Sequence, residues 1–133
     1  MALKDHNLEA YKATKDMLMT YNECCLVAGT GIGKSNISTE LINELKLNTL
    51  VIAPTNSIKD NWANMPEEYD IPPMISTVSY QLFSANPEVF KGFDMYVFDE
   101  CHHIGSNVWG NAVRNFKKSL EDGEYVLALQ LIL

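Results

Sequence analysis

Basic charge is what this chain has least of. Lysine and arginine together number 10 against 17 aspartates and glutamates, for a formal net charge of −7, and Arg114 is the only arginine. A module that grips a nucleic-acid duplex on its own carries a basic excess, because neutralising phosphates drives non-specific affinity. Strong independent binding of that kind is not expected. A weaker surface of backbone amides and a few lysines remains open. Cysteine is also scarce: Cys24, Cys25 and Cys101, an odd number with two adjacent. With no apolar leader in the opening MALKDHNLEA, this reads as a reduced intracellular chain, expected in the cytoplasm. No apolar run approaches the ~20 residues that span a bilayer, so no membrane partner is expected.

What is present suits one globular domain, 1–133. The 133 residues are 47% hydrophobic and 20% charged, enough for a core of ordinary size. No repeat or linker divides them. Two hydrophobic periods alternate along the chain. Leu8, Tyr11, Leu18 and Tyr21 share one helical face. CCLVA (Cys24 to Ala28) is a continuous apolar run that suits a strand buried on both faces. Ile37, Leu41 and Leu45 form the next helical stripe, and TLVIAP (Thr49 to Pro54) the next strand. A short helix is expected over 57–64, with Pro66, Pro72 and Pro73 marking the loop after it. Met74 to Val78 reads as a strand, 79–84 as a helical turn, and MYVFD (Met95 to Asp99) as a strand closed by a carboxylate. A helix over 107–120 and a last strand, YVLALQLIL, complete the pattern. Strand–helix alternation with buried strands predicts an α/β fold, a mostly parallel sheet with helices on both faces. Ligands in such sheets lie at the carboxyl ends of the strands.

AGTGIGKS (Ala28 to Ser35) falls at one of those ends. Gly29, Gly31 and Gly33 let the backbone approach an anion with no Cβ in the way. Amides from Gly29 through Thr30 into the following helix would point at phosphate, helped by the helix dipole. Lys34 would reach the terminal phosphates and the Ser35 hydroxyl would ligate Mg²⁺. The strict pattern G-x-x-x-x-G-K-[ST] is not met, since Ala28 takes the first glycine position. A plain glycine-rich turn is the bland alternative. The second strand end carries VFDECHHI (Val97 to Ile104). There Asp99 would hold Mg²⁺, directly or through water, and Glu100 would polarise the attacking water. Zinc on Cys101, His102 and His103 with Cys24 or Cys25 is the competing reading. Against it, consecutive residues rarely face one ion and no C-x-x-C or H-x-x-x-H spacing occurs.

Taken together, A-x-T-G-x-G-K-S and the later D-E-C-H resemble motifs I and II of superfamily 2 (DExH-type) helicases and translocases. PTNSIKDNW (Pro54 to Trp62) is similar to motif Ia, and SYQLF (Ser79 to Phe83) to motif Ib of the DNA-processing branch, the restriction-enzyme and phage helicases. The resemblance runs from about Leu8 to Leu129. It implies a RecA-like P-loop NTPase fold, a three-layer sandwich that binds ATP and Mg²⁺. Lys34, Asp99 and Glu100 would serve hydrolysis, and His102 would link the nucleotide to the nucleic acid. Pro54, Thr55 and the segment Ser79, Tyr80, Gln81 would face a sugar-phosphate backbone, with DNA favoured by the branch resembled and RNA left open. Those last residues could equally be turn and cap residues. Trp62 and Trp109 read as core packing residues.

The chain departs from the family pattern in places. Lys12 stands where the family has an adenine-reading glutamine. YVLAL runs into Gln130 and an apolar end in place of motif III, and the family's second RecA-like domain with its arginine finger is not among the 133 residues. The expectation is therefore an N-terminal motor domain that hydrolyses ATP slowly and does not unwind a duplex alone, whether cut short in its gene or completed by a second helicase domain or protein partner. A non-catalytic remnant that binds a partner is the second reading. An unrelated P-loop nucleotidase or kinase is the third, and motifs Ia and Ib argue against it.

Overall fold

The computed structural model describes residues 5–29, 34–68, 70, 72–101 and 107–132. Helix α1 (Asp5–Tyr21) leads into strand β1 (Glu23–Gly29), then α2 (Lys34–Leu45) and β2 (Thr49–Ala53). Next come α3 (Asn56–Glu68), β3 (Ile75–Ser79) and α4 (Tyr80–Ala85), then a 3₁₀ turn over Pro87–Phe90. β4 (Met95–Phe98), α5 (Asn107–Lys118) and β5 (Tyr125–Ile132) follow. The strands form one five-stranded sheet in the order β1-β5-β4-β2-β3, and every neighbouring pair is parallel. All carboxyl ends therefore lie along one edge.

Side chains alternate strictly between the two faces. Val51, Val97, Leu127 and Leu129 point to the face covered by Leu18 of α1, by Ile37, Leu41 and Ile42 of α2, and by Trp62 and Met65 of α3. Leu50, Ile52, Tyr96, Phe98 and Val126 point to the other, covered by Tyr80 and Phe83 of α4 and by Val113 and Phe116 of α5. The result is the three-layer α/β sandwich that the alternating periods predict. Residues in the left-handed region close two of the helices: Asn22 (φ 61°) after α1 and Lys46 (φ 53°) after α2. There the Asn22 and Leu47 amides return to the carbonyls of Leu18 and Ile42.

Four details differ from the sequence expectation. β1 is an edge strand, not a strand buried on both faces: Cys25 is exposed and Val27 is 47% exposed. A continuous apolar run gives no information about strand order. α3 extends past 64 to Glu68 and holds Pro66 inside its last turn. Burial of Trp62, Met65 and Pro66 offsets the hydrogen bond that a proline cannot donate. β3 is shifted by one residue, because Ser79 is the N-cap of α4 with its hydroxyl accepting from the Leu82 amide at 3.1 Å. The last helix stops at Lys118.

Candidate functional site

The carboxyl edge of the sheet gathers the residues with chemistry. β1 ends at Gly29 and α2 begins at Lys34, so the glycine-rich segment joins a strand end to a helix N-terminus, as its sequence predicts. Lys34 and Ser35 form the first turn of α2. Thr30, Gly31 and Gly33 lie outside the described residues, as does His102. β5 lies beside β1, and β4 next to β5. Asp99 and Glu100 directly follow β4, so the acidic pair stands at the same edge, with β5 between it and β1.

Asp99 is 6% exposed, the only buried carboxylate among the described residues. Its amide donates to the Ile52 carbonyl at 2.9 Å, which extends the β2–β4 ladder by one residue. Its carboxylate accepts two N–H groups. Oδ2 takes the indole Nε1–H of Trp62 at 2.8 Å, and Oδ1 takes the Glu100 amide at 2.8 Å. Its carbonyl accepts the hydroxyl of Tyr80, also at 2.8 Å. The two bonds to the carboxylate restrict where it can point, and the Tyr80 bond restrains the main chain. Glu100 adopts a left-handed backbone (φ 48°), uncommon for a residue with a Cβ. That turn takes the chain sharply off the strand. A cleft of about 330 Å³ opens beside the pair, lined by Ile58, Asn61, Trp62 and Met65 of α3 together with Asp99 and Glu100.

The chemistry of these donors fits a hard cation held partly by a substrate. Mg²⁺ takes oxygen ligands and is commonly bound by one or two carboxylates plus phosphates. Two adjacent carboxylates at a strand end, with the glycine-rich segment at the same edge, could supply the protein's share. Among the described residues no group of three or more His, Cys, Asp or Glu side chains could hold a metal by itself. Cys101, from the competing zinc reading, is half-buried with its Sγ 3.8 Å from Oε1 of Gln130.

The residues expected to face a nucleic-acid backbone divide. Thr55 is exposed at the start of α3, where its Oγ1 accepts from the Ile58 amide at 3.2 Å. Pro54 beside it is half-buried. Ser79 caps α4, and Gln81 is exposed. Tyr80 is a correction. It is 0% exposed, with its ring stacked on Trp109 (centroids 5.1 Å apart) and its hydroxyl spent on Asp99. Its side chain is part of the core and cannot face a strand. Burial pushes its phenol well above the ordinary value, and the nearby Cys101, Asp99 and Glu100 push it further in the same direction. Trp62 is buried as expected, yet its polar edge belongs to the site. The one sequence signal for both is that a buried Trp or Tyr needs a partner for its N–H or O–H. That need does not say which partner.

A family model described as the type III restriction enzyme res subunit matches residues 1–74 of the chain. The chain is 26% identical over 117 residues to the DNA 3'-5' translocase XPB2 of Sulfurisphaera tokodaii, covering 78% of this chain and 26% of that protein. It is 29% identical over 98 residues to a protein of Acanthamoeba polyphaga mimivirus bearing the name of an ATP-dependent RNA helicase, covering 61% of this chain and 19% of the other. Among solved structures, the DEAH/RHA helicase HrpB of Escherichia coli superposes with a TM-score of 0.72 at 17% identity, covering 95% of this chain and 20% of HrpB. At that identity the likeness speaks for the fold. The chain spans about a quarter or less of the length of these relatives.

Proposed function

The chain belongs to the superfamily 2 helicases, through the res-subunit family of type III restriction enzymes, and on that premise we propose that residues 1–133 form an N-terminal motor domain that binds Mg-ATP. Lys34 and Ser35, with the amides of Gly29, Thr30, Gly31 and Gly33, would take the phosphates. Ser35 and Asp99 would hold Mg²⁺, which supplies charge neutralisation on the transferring phosphoryl group. Glu100 would orient the attacking water, and His102 would relay the nucleotide's state to the nucleic-acid side. The observation that carries this reading is the placement of two elements at one edge: a strand running through glycines into a Lys-Ser helix start, and a buried aspartate followed by glutamate two strands away.

Nucleic acid would lie along the same edge beyond β4, past Thr55 at the start of α3 and Ser79 and Gln81 at the start of α4. DNA is the proposed strand, in keeping with the DNA-processing character of the SYQLF segment. A net charge of −7 makes that contact weak for this domain alone. Hydrolysis would be slow without the arginine finger that a second helicase domain brings, a contribution of ~10³ or more in related phosphoryl-transfer systems. The working compartment would be the cytoplasm; among the described residues no helix is long and apolar enough to cross a membrane.

Calorimetric titration of the chain with Mg-ATP tests this directly, with Lys34→Ala as control. Saturable binding that the substitution abolishes is the expected result. No binding at millimolar nucleotide, or binding indifferent to Lys34, would overturn it. Adding single-stranded DNA and RNA of one sequence in parallel titrations separates the two strands.

A further inference from the structure

Both helices read as strand-facing send one polar group to the same residue. α3 starts at Asn56 beside Thr55 and delivers the Trp62 indole N–H to Oδ2 of Asp99; α4 is capped by Ser79 and delivers the Tyr80 hydroxyl to the Asp99 carbonyl. They approach from opposite sides of the sheet, since Trp62 packs in one core layer and Tyr80 in the other. The Tyr80 bond fixes the main chain at Asp99. The Glu100 amide is a neighbour in sequence and moves with it. Trp62, from 37 positions away in sequence, is a partner that bears on the direction of the carboxylate itself, and it is 1% exposed.

From this geometry we infer that Trp62 is a positioning residue for the divalent metal of the nucleotide complex, holding the Asp99 carboxylate in its metal-binding orientation and tying that orientation to the position of α3. The inference rests on the Mg-ATP reading above. Groups that orient a metal's carboxylate or imidazole ligands commonly matter ~10–100-fold in metal affinity although they never touch the metal. Because Thr55 directly precedes α3, about two helical turns before Trp62, a displacement of that helix by a bound strand would be felt at Asp99 through the indole. The coupling is mechanical and local: one rigid helix and one hydrogen bond.

The test compares ATP affinity with Mg²⁺ and with EDTA in the unaltered chain and in Trp62→Phe, which keeps an aromatic ring and removes the N–H. The expected result is a Mg²⁺-dependent gain in affinity that falls ~10-fold in the variant while affinity in EDTA is unchanged. An undiminished Mg²⁺ gain would overturn the inference, and so would an equal loss in both buffers, which is what a merely structural role produces. If the variant does not fold, the unaltered chain answers by NMR. It has two tryptophans, and Trp109→Phe assigns their indole N–H signals. The Trp62 signal should shift on adding ATP with Mg²⁺ and stay in place with ATP in EDTA; a signal that ignores Mg²⁺ sinks the idea. Failure of the Mg-ATP reading looks different: the unaltered chain then shows no nucleotide binding in either buffer.

Discussion

The two faces of the sheet are packed with different chemistry. Against the first face lie mainly aliphatic side chains, Leu18, Ile37, Leu41 and Ile42 over Val51, Val97, Leu127 and Leu129. Against the second lie rings in edge-to-face contact. Phe83 and Phe116 are 5.0 Å apart at 75°, Tyr96 and Phe116 4.8 Å at 77°, and Phe83 and Phe98 5.8 Å at 78°. Aliphatic groups fill volume with little angular preference, whereas aromatic pairs also fix an angle and a distance. Yet both layers terminate at the same residue, through Trp62 on one side and Tyr80 on the other. The comparison teaches that a buried acidic site can be held by two unlike cores, each contributing one donor.

The sharpest way to break that contrast is to truncate one member of each layer. Phe116→Ala should cost about 3–5 kcal/mol and Leu41→Ala about 2–5 kcal/mol in urea unfolding, with the aromatic loss the larger of the two. Both side chains are essentially buried, at 1% and 0% exposure. A Leu41 variant as costly as Phe116→Ala would mean that ring geometry adds nothing to volume here.

Removing one donor asks less. Tyr80→Phe leaves the Asp99 carbonyl without its hydroxyl partner and should cost about 1–3 kcal/mol at neutral pH. It should also change the alkaline limb. The folded state raises the Tyr80 phenol from its ordinary value of 10, first through burial and then through Cys101, Asp99 and Glu100. Folded chains therefore keep this proton at a pH where unfolded chains release it. Stability is undiminished below about pH 10 and falls as pH rises beyond it. In Tyr80→Phe that fall should be shallower; it does not vanish, because burial also raises Tyr96. Equal slopes in chemical denaturation between pH 9 and 11 would show that Tyr80 does not titrate with unfolding.

Within β1 the same contrast appears over adjacent residues. Cys24 packs in the aliphatic layer with its thiol pushed up by burial and by Cys25, partly offset by the nearby Thr14 side chain, while Cys25 is exposed. Iodoacetamide followed by peptide mass spectrometry should label Cys25 first and Cys24 only as the chain unfolds. Comparable rates at both would place β1 differently. The smallest effect belongs to the surface. Lys15 and Glu44 pair at 2.5 Å between α1 and α2 but are 33% and 41% exposed, so Lys15→Ala should cost below about 1 kcal/mol, less in high salt.

Much of this architecture is legible in the sequence. TLVIA and MYVF are unbroken apolar runs, and as β2 and β4 every one of their residues is buried, as interior parallel strands require. The stripe Ile37, Leu41 lies on the core side of α2. CCLVA has the same look and misleads, because an edge strand of a parallel sheet can be as apolar as a central one along its inward side. Pro66 misleads as well. Its local preference ends a helix, but the packing of Trp62 and Met65 outweighs it.

By itself the sequence determined the order of strands and helices, the glycine-rich passage from β1 into Lys34, and a carboxylate at the end of β4. Each of these is a local matter of side-chain period and backbone freedom. Only the tertiary structure decided which strand stands at the edge, that Tyr80 is enclosed, and that Trp62 meets Asp99 across 37 positions of sequence. Strand order and long-range donors depend on which helix covers which face, and nothing in the spacing of residues along the chain encodes that choice.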